Sequence, residues 1–514
     1  MSFASNNAGP SATARVAVNG LIIWLRIIGV LIAKMVATRL LLEAMGIEGY
    51  GAYFAATSIA LLVGFLTSAM QATSVRAISL ERTGEAAMSR LFSSLLGMHL
   101  LVGLAIMAIG ATGGLWFVNA VLVIPEAMSD AAAFSFLCIL MATAFGALLG
   151  PYEAFLQSRE RFAIYASLDM LRAWLLVPVS YYLTQLEGGQ LEIYAMISAG
   201  LSIVTIMVGV VIALRDYPAT RPRLRDLFDA TIWRPHASIF SWSLVGSLSA
   251  VARNQGLAVV VNTIGGPVAS AAFAIGNQIP AAVRQFATSL RTVIAPRIYG
   301  REARGDRNLM VGLSFTACKV SMLVAVVLVV PLVVELPTIL QTWLGQADSS
   351  IIFVCSLMLV NQVVEQSSAG TGLAHMAIGQ LARLQIIAGG LSLLMLPVAY
   401  AVGYSTGEFR NVLLVAVGFT ILVAIVRVKL LDKHVSRATL QWLRETILRV
   451  IAVLLPMLVL ALAVHEFMEP SLYRLVLNFG ATFLLFLIMA YTLGLTAFER
   501  DRVRELFRWR GKAA

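Results

Sequence analysis

Apolar residues run through the chain in fourteen stretches of roughly 20–28 residues, separated by short polar connections. A helix rising 1.5 Å per residue needs about that length to cross a ~30 Å hydrocarbon core. The pattern predicts membrane-crossing helices centred in 17–42, 50–75, 91–118, 131–156, 164–185, 192–214, 237–262, 268–295, 311–334, 351–373, 380–404, 411–431, 447–466 and 474–497, numbered here as spans 1 to 14. The expected fold class is an all-α polytopic membrane protein of about 14 transmembrane helices. The first twelve are expected as two pseudo-symmetric six-helix lobes, with two helices added at the C-terminal end.

The connections carry charge unevenly. Alternate loops hold Arg82; Arg159 and Arg161; Arg215, Arg221, Arg223, Arg225 and Arg234; Arg297, Arg301, Arg304 and Arg307; and Lys433, Arg437 and Arg444. The intervening loops are nearly empty of positive charge, Arg410 and Arg474 excepted. By the positive-inside rule both termini are cytoplasmic, which an even number of spans also requires. The longest cytoplasmic loop, 215–236, separates an expected N-lobe at 17–214 from a C-lobe at 237–431. Residues 1–16 read as a disordered cytoplasmic terminus, 447–497 as the two extra spans, and 498–514 as a basic amphipathic cytoplasmic tail on an anionic leaflet. A weak internal repeat supports the division into lobes. Ala52–Arg82 lies over Ala271–Arg301 with Phe54 on Phe273 and Arg82 on Arg301, and each copy runs into Gly-Glu or Gly-Asp. Span 2 is then equivalent to span 8.

Composition agrees with the pattern. The 514 residues are 59% hydrophobic and only 13% charged, about half the charged fraction of a soluble protein, and the mean hydropathy is +0.85. The net charge of +11 is a property of cytoplasmic loops facing anionic headgroups and calls for no nucleic-acid partner. Three cysteines, Cys138, Cys318 and Cys355, each lie in an apolar segment and suggest neither a disulfide framework nor a metal site. The opening MSFASNNAGPSATA lacks the charged start of a cleavable signal, so span 1 is expected to stay in the membrane. No G-x-S-x-G, Walker A or H-E-x-x-H motif occurs. The expectation is a non-enzymatic protein with no metal or cofactor, driven by an ion gradient or by the gradient of its own substrate.

The chemistry lies in charges placed inside the spans. Asn277, Arg284 and Arg291 in span 8 are seven residues apart, nearly two helical turns, so they share one face. A cation within a bilayer costs at least ~2.5–3.5 kcal/mol, which is tolerable where it faces other helices or water. Arg26 in span 1, Arg253 in span 7 and Lys319 in span 9 join Arg284 and Arg291 as candidates for a cationic, substrate-binding cavity. Taken singly, snorkelling or structural pairing explains each of them equally well. As a set, cations outnumber acids, and arginine's planar fork suits phosphate or pyrophosphate. Asp169 and Arg172, three apart in span 5, read as a local ion pair. Asn361 and Glu365 lie on one stripe of span 10. Glu365 has two readings, an ion pair with Lys319 or an arginine, or a titrating group in ion coupling. Thr57 and Gln71 belong to an uncharged polar stripe of span 2 with Gly64 and Ser68. That stripe suits sugar hydroxyls, and its small residues equally suit close helix packing. With Asn277 and Asn361, Thr57 and Gln71 are candidate polar lining.

The run ATRLLLEAMGIEGYGAYFAATSIALLVGF, through Arg39, Leu41, Gly49, Tyr50, Gly51 and Tyr53, resembles the opening of bacterial polysaccharide-precursor flippases of the Wzx type. Pro296, Ile298, Gly305 and Asp306 resemble the loop after span 8 in that family, whereas Leu42 and Glu43 depart from its usual R-x-L-G. These flippases belong to the multidrug/oligosaccharidyl-lipid/polysaccharide (MOP) exporter superfamily. The resemblance implies a two-lobed flippase of the bacterial inner membrane that works by alternating access through a cationic central cavity. It would move undecaprenyl-pyrophosphate-linked oligosaccharides for O-antigen, capsule or exopolysaccharide synthesis. It implies as partners the lipid-linked oligosaccharide, membrane lipids, and a polysaccharide polymerase and chain-length complex. Spans 13 and 14 also resemble the extra helices of peptidoglycan-precursor (lipid II) flippases, which keeps that reading open. A cation-coupled multidrug exporter of the superfamily would favour acidic cavity residues. A polysaccharide polymerase or ligase would need a larger external loop than the dozen or so residues available.

Overall fold

The computed structural model describes residues 10–81, 84–159, 161–345, 348–496 and 499–500. It is an all-α polytopic membrane protein, helical throughout and without strands among the described residues. Eleven stretches, from Glu85–Ala120 to Leu472–Gly494, are long and apolar enough to cross a membrane. They account for spans 3 to 14, because Ser243–Thr288 contains both span 7 and span 8. Spans 1 and 2 lie in Pro10–Val63 and Phe65–Leu80. Residues 10–16, expected to be disordered, are helical. Residues 1–9 of that expected terminus lie outside the described residues, as does the basic tail 498–514 apart from Glu499 and Arg500.

The chain divides into two compact units, Met1–Ala274 with Leu396–Phe409, and Ile275–Met395 with Arg410–Ala514. In the first unit span 7 packs along span 2 and against span 3. The 215–236 loop therefore lies within this unit. Side-chain caps punctuate several helices. Asp229 accepts from Thr231 N, Asp306 from Leu309 N, Asp348 from Ser350 N, and Ser471 from Arg474 N. Gly305, at φ +75, closes the preceding helix. The Gly-Asp pair that carries part of the family resemblance is thus a helix stop followed by a helix start.

Two connections need glycine. Gly46 (φ 70) joins spans 1 and 2 and Gly266 (φ 67) joins spans 7 and 8, each turning the chain without a loop. Side-chain-bearing residues rarely adopt that conformation. The two turns pack on one another. A Cβ on Gly51 would stand 1.9 Å from the carbonyl oxygen of Pro267. The repeat-matched rings of Phe54 and Phe273 meet at 6.3 Å between centroids. Small residues let the surrounding helices close in, with Ala55, Ala56, Ala60, Ala132 and Ala147 fully buried. Asn262, also fully buried, donates to the carbonyl of Val123 and accepts from its N–H, holding the connection between spans 3 and 4 against span 7.

Pro151 lies inside the helix of span 4 and has no N–H for the carbonyl of Ala147. His99 of span 3 takes that carbonyl with Nδ1 at 2.6 Å, and its Nε2 meets Ser74 Oγ at 2.9 Å. Gln71 sits beside the same interruption, its amide donating to Gly150 O and accepting from Ala154 N. In a bilayer a freed backbone group has no water to turn to, so neighbouring helices supply the partners.

In the second unit Arg474, an exception to the charge pattern of the loops, is 2% exposed. It bonds Glu335 at 2.8 Å, Thr338 Oγ1 at 2.7 Å and the carbonyl of Met468 at 2.9 Å. Asn478 donates to the other oxygen of Glu335. Arg474 thus pins the last hairpin to the end of span 9 and presents no charge to solvent. Two outcomes follow for the solubilised protein. Gly51→Ala, which pushes a methyl into backbone, lowers stability by about 1–3 kcal/mol, whereas Gly418→Ala, mid-helix with open space around its Cβ, does not lower it and raises it by up to about 1 kcal/mol. Arg474→Ala strands Glu335 and costs about 3–5 kcal/mol. Thermal unfolding in detergent measures both.

Candidate functional site

The intramembrane charges fall in both units, and they are answered in more than one way. In the first, Arg26 of span 1 donates through Nε and Nη2 to one oxygen of Asp169, at 2.9 and 2.6 Å. Arg172 bonds the other oxygen at 2.9 Å. The expected local pair of span 5 is therefore a three-residue cluster, one carboxylate between two guanidiniums. The Arg26 guanidinium also lies over the Tyr165 ring, 4.9 Å from its centroid. Arg26 is answered here by an acid 143 residues away in sequence, a partner no local pattern could reveal.

This cluster borders a cavity of about 470 Å³ among spans 2, 4, 5, 6 and 7. Polar groups on its wall come from Thr67 and Ser68, Glu153, Tyr165, Asp169 and Arg172, and Asn254 with Gln255. The last two sit on a π-helical turn, Ala252–Gly256, inside the span 7 helix. Such turns widen the helix and recur at functional positions. Arg253 occupies the same turn and is half-buried. Thr57 is buried, with its hydroxyl donating to the carbonyl of Tyr53 in its own helix at 2.8 Å, and Gln71 serves the Pro151 interruption. Neither is among the cavity-wall residues.

In the second unit Arg284 and Arg291 lie on the helix Gln278–Glu302. Arg284 Nε donates to Gln362 Oε1 at 3.1 Å, and Arg291 donates to Gln366 Oε1 and, at 3.0 Å, to Thr288 Oγ1. Gln362 and Gln366 are four apart on span 10 and almost fully buried. The arginines are seven apart and the glutamines four, yet each glutamine holds one guanidinium. Neither glutamine was picked out from the sequence. The stripe that was, Asn361 and Glu365, is one residue out of register with it. Glu365 is within electrostatic reach of Arg291. Gln362 Nε2 and Asn361 Oδ1 are buried with no hydrogen-bond partner among the described residues. Asn277 is half-buried at the start of the arginine helix, between the two helical segments of span 8. Lys319 stands apart, 2% exposed and paired with Glu499 just beyond span 14. Burial resists ionisation of Glu499, yet hydrogen bonds and the Lys319 charge outweigh it and hold its carboxyl below the usual range.

Solved structures with this fold are transporters of the MOP superfamily. An inward-facing multidrug-resistance MATE transporter of that superfamily aligns at 18% identity with a TM-score of 0.63, covering 82% of this chain and 99% of its own. The lipid II flippase MurJ, in an inward closed conformation, aligns at 14% identity with a TM-score of 0.67, covering 95% and 100%. A MOP-superfamily transporter from Pyrococcus furiosus, described as having a binding pocket of reverse polarity, aligns at 15% with a TM-score of 0.52, covering 81% and 97%. No protein-family model matches the sequence, and no curated protein matches it at a significant level. The fold is that of the MOP superfamily.

The Asp169 cluster makes a stability prediction. Asp169→Asn leaves two guanidiniums side by side and lowers unfolding free energy by about 1–3 kcal/mol, less than for a fully buried pair because both arginines keep partial exposure. Adding Arg26→Met to that variant recovers part of the loss. A thermal-unfolding double-mutant cycle reads both effects.

Proposed function

We propose that the protein is a flippase for undecaprenyl-pyrophosphate-linked oligosaccharides in the bacterial inner membrane, serving O-antigen, capsule or exopolysaccharide synthesis, with both termini cytoplasmic. The observation that carries the reading is the pair of arginines in span 8 held by neutral glutamines. Gln362 and Gln366 each accept a hydrogen bond that fixes the direction of one guanidinium, and Glu365 lies within electrostatic reach of Arg291. A guanidinium aimed in this way is prepared for an anion. Two guanidiniums on one face of a helix suit a pyrophosphate entering with its lipid chain left in the bilayer. Arg253 adds positive charge in the first unit, while Arg26 and Lys319 act through their acidic partners. Glu365, beside Gln366, is the residue proposed to couple headgroup movement to an ion by alternating access. The partners proposed are the lipid-linked substrate, membrane lipids, and a polymerase and chain-length complex.

A second reading, a peptidoglycan-precursor flippase, has its own support. The likeness to MurJ extends over 95% of the chain, against 82% and 81% for the MATE transporter and the Pyrococcus furiosus protein. Both substrates present the same pyrophosphate, so the arginine site serves either. A cation-coupled drug exporter is less well supported, because charged partners of a cationic drug would be acids.

Complementation of a gene-deletion strain tests the reading. Arg284→Ala and Arg291→Ala each cut glycan export by about tenfold to a hundredfold, the equivalent of a lost charge-assisted hydrogen bond, with the lipid-linked intermediate retained on the cytoplasmic leaflet. Lysine at either position restores export only in part, because it keeps the charge and loses the fork. Normal export by both alanine variants at normal protein level would falsify the proposal. Unpolymerised units reaching the periplasm in the deletion strain would point instead to a polymerase or ligase.

A further inference from the structure

We propose that the 217–229 connection between spans 6 and 7 is a docking platform for anionic phospholipid headgroups, on the leaflet that is cytoplasmic in the proposed orientation. The platform lies wholly in the first unit, outside the arginine pair, and does not depend on the substrate received there. Its backbone is fixed against the helices around it. Thr220 is fully buried, and its hydroxyl donates to the carbonyl of Ala213 in span 6 at 3.0 Å. The N–H of Arg223 donates to Ser93 Oγ of span 3 at 2.9 Å. A Cβ on Gly97 of span 3 would stand 1.8 Å from the carbonyl oxygen of Leu227, so glycine is what lets the connection lie this close. Gly97 belongs to the apolar stretch Glu85–Ala120. The connection therefore crosses span 3 at the edge of the hydrocarbon slab and does not stand out in the cytosol.

Held there, the connection sorts its side chains by charge. Its acids are turned inward or answered. Asp226 is 8% exposed, and Asp229 is occupied in capping the span 7 helix through Thr231. Asp216, just before the connection, pairs with Arg161 at 3.6 Å. Arg221, Arg223 and Arg225 are all exposed. Arg225 reaches Asp226 only at 3.6 Å and keeps 78% of its side chain exposed. Among these arginines Leu224 is 82% exposed and Phe228 57%. Apolar area of that kind is unfavourable in water, and at the level of Gly97 acyl chains are there to cover it. Arginines interleaved with Leu and Phe suit a membrane interface: the apolar groups dip below the headgroups while guanidiniums take phosphate oxygens. Each arginine near the surface favours anionic over zwitterionic lipid. An acidic protein segment would match the charge, but lipid already stands at this depth.

A fluorescent probe at Leu224 tests the platform. Leu224→Cys in the full-length protein is labelled with an environment-sensitive dye, the three native cysteines being buried. The protein is placed in nanodiscs of mixed phosphatidylcholine and phosphatidylglycerol, one or the other brominated on its acyl chains so that it quenches a dye it touches. Both lipids quench the dye at Leu224, and brominated phosphatidylglycerol does so about tenfold more effectively per molecule. Raised salt weakens that preference with no further substitution. Arg221→Gln, Arg223→Gln and Arg225→Gln together bring it close to equality while quenching itself persists. The same dye at Ala303→Cys, exposed on the loop after span 8, is not quenched. The substituted side chains are all exposed, and the salt series keeps the test independent of the arginine variant. A dye at Leu224 that stays in water, unquenched by either lipid, would overturn the proposal and point to an acidic soluble partner. Equal quenching by the two lipids at low salt would overturn it as well, as would a preference that the triple substitution leaves intact.

Discussion

A guanidinium inside a bilayer costs at least about 2.5–3.5 kcal/mol unless something answers it, and this protein answers in two ways. Arg26, Arg172 and Arg474 are given carboxylates, at Asp169 and Glu335, and Lys319 is given Glu499. Those pairs hold helices together and spend their charge doing so. Arg284 and Arg291 are instead given the amide oxygens of Gln362 and Gln366. A neutral partner satisfies hydrogen-bond geometry without an ion pair. The two groups differ in the chemistry of the hydrogen-bond partner and also in burial, since Arg474 and Lys319 are almost fully buried and Arg284 and Arg291 half-buried.

The same absence of water governs the backbone. At Pro151 the freed groups of span 4 are met by neighbours, His99 and Gln71. The hairpin turns at Gly46 and Gly266 go further and dispense with loops, and Gly51 lets the turns touch. The π-turn at Ala252–Gly256 is a third kind of interruption, and it places Asn254 and Gln255 on the wall of a cavity. Breaks in regular structure thus serve packing in one place and presentation in another.

The all-helical class and the positions of the fourteen spans were readable from the sequence, because a ~30 Å apolar slab imposes a length on every crossing segment and that length is a local property. The shared face of Arg284 and Arg291 was readable for the same kind of reason, since helical periodicity is local. What answers each charge was not. Asp169 lies 143 positions from Arg26 and Glu335 lies 139 from Arg474, and only packing brings them together. Gln362 and Gln366 were passed over for Asn361 and Glu365, one residue away, because a one-residue rotation of a helix leaves its polar count unchanged while altering which side chains face a neighbour. Tertiary structure therefore decided which partner answers each cation, and chain length and periodicity decided only where cations could be.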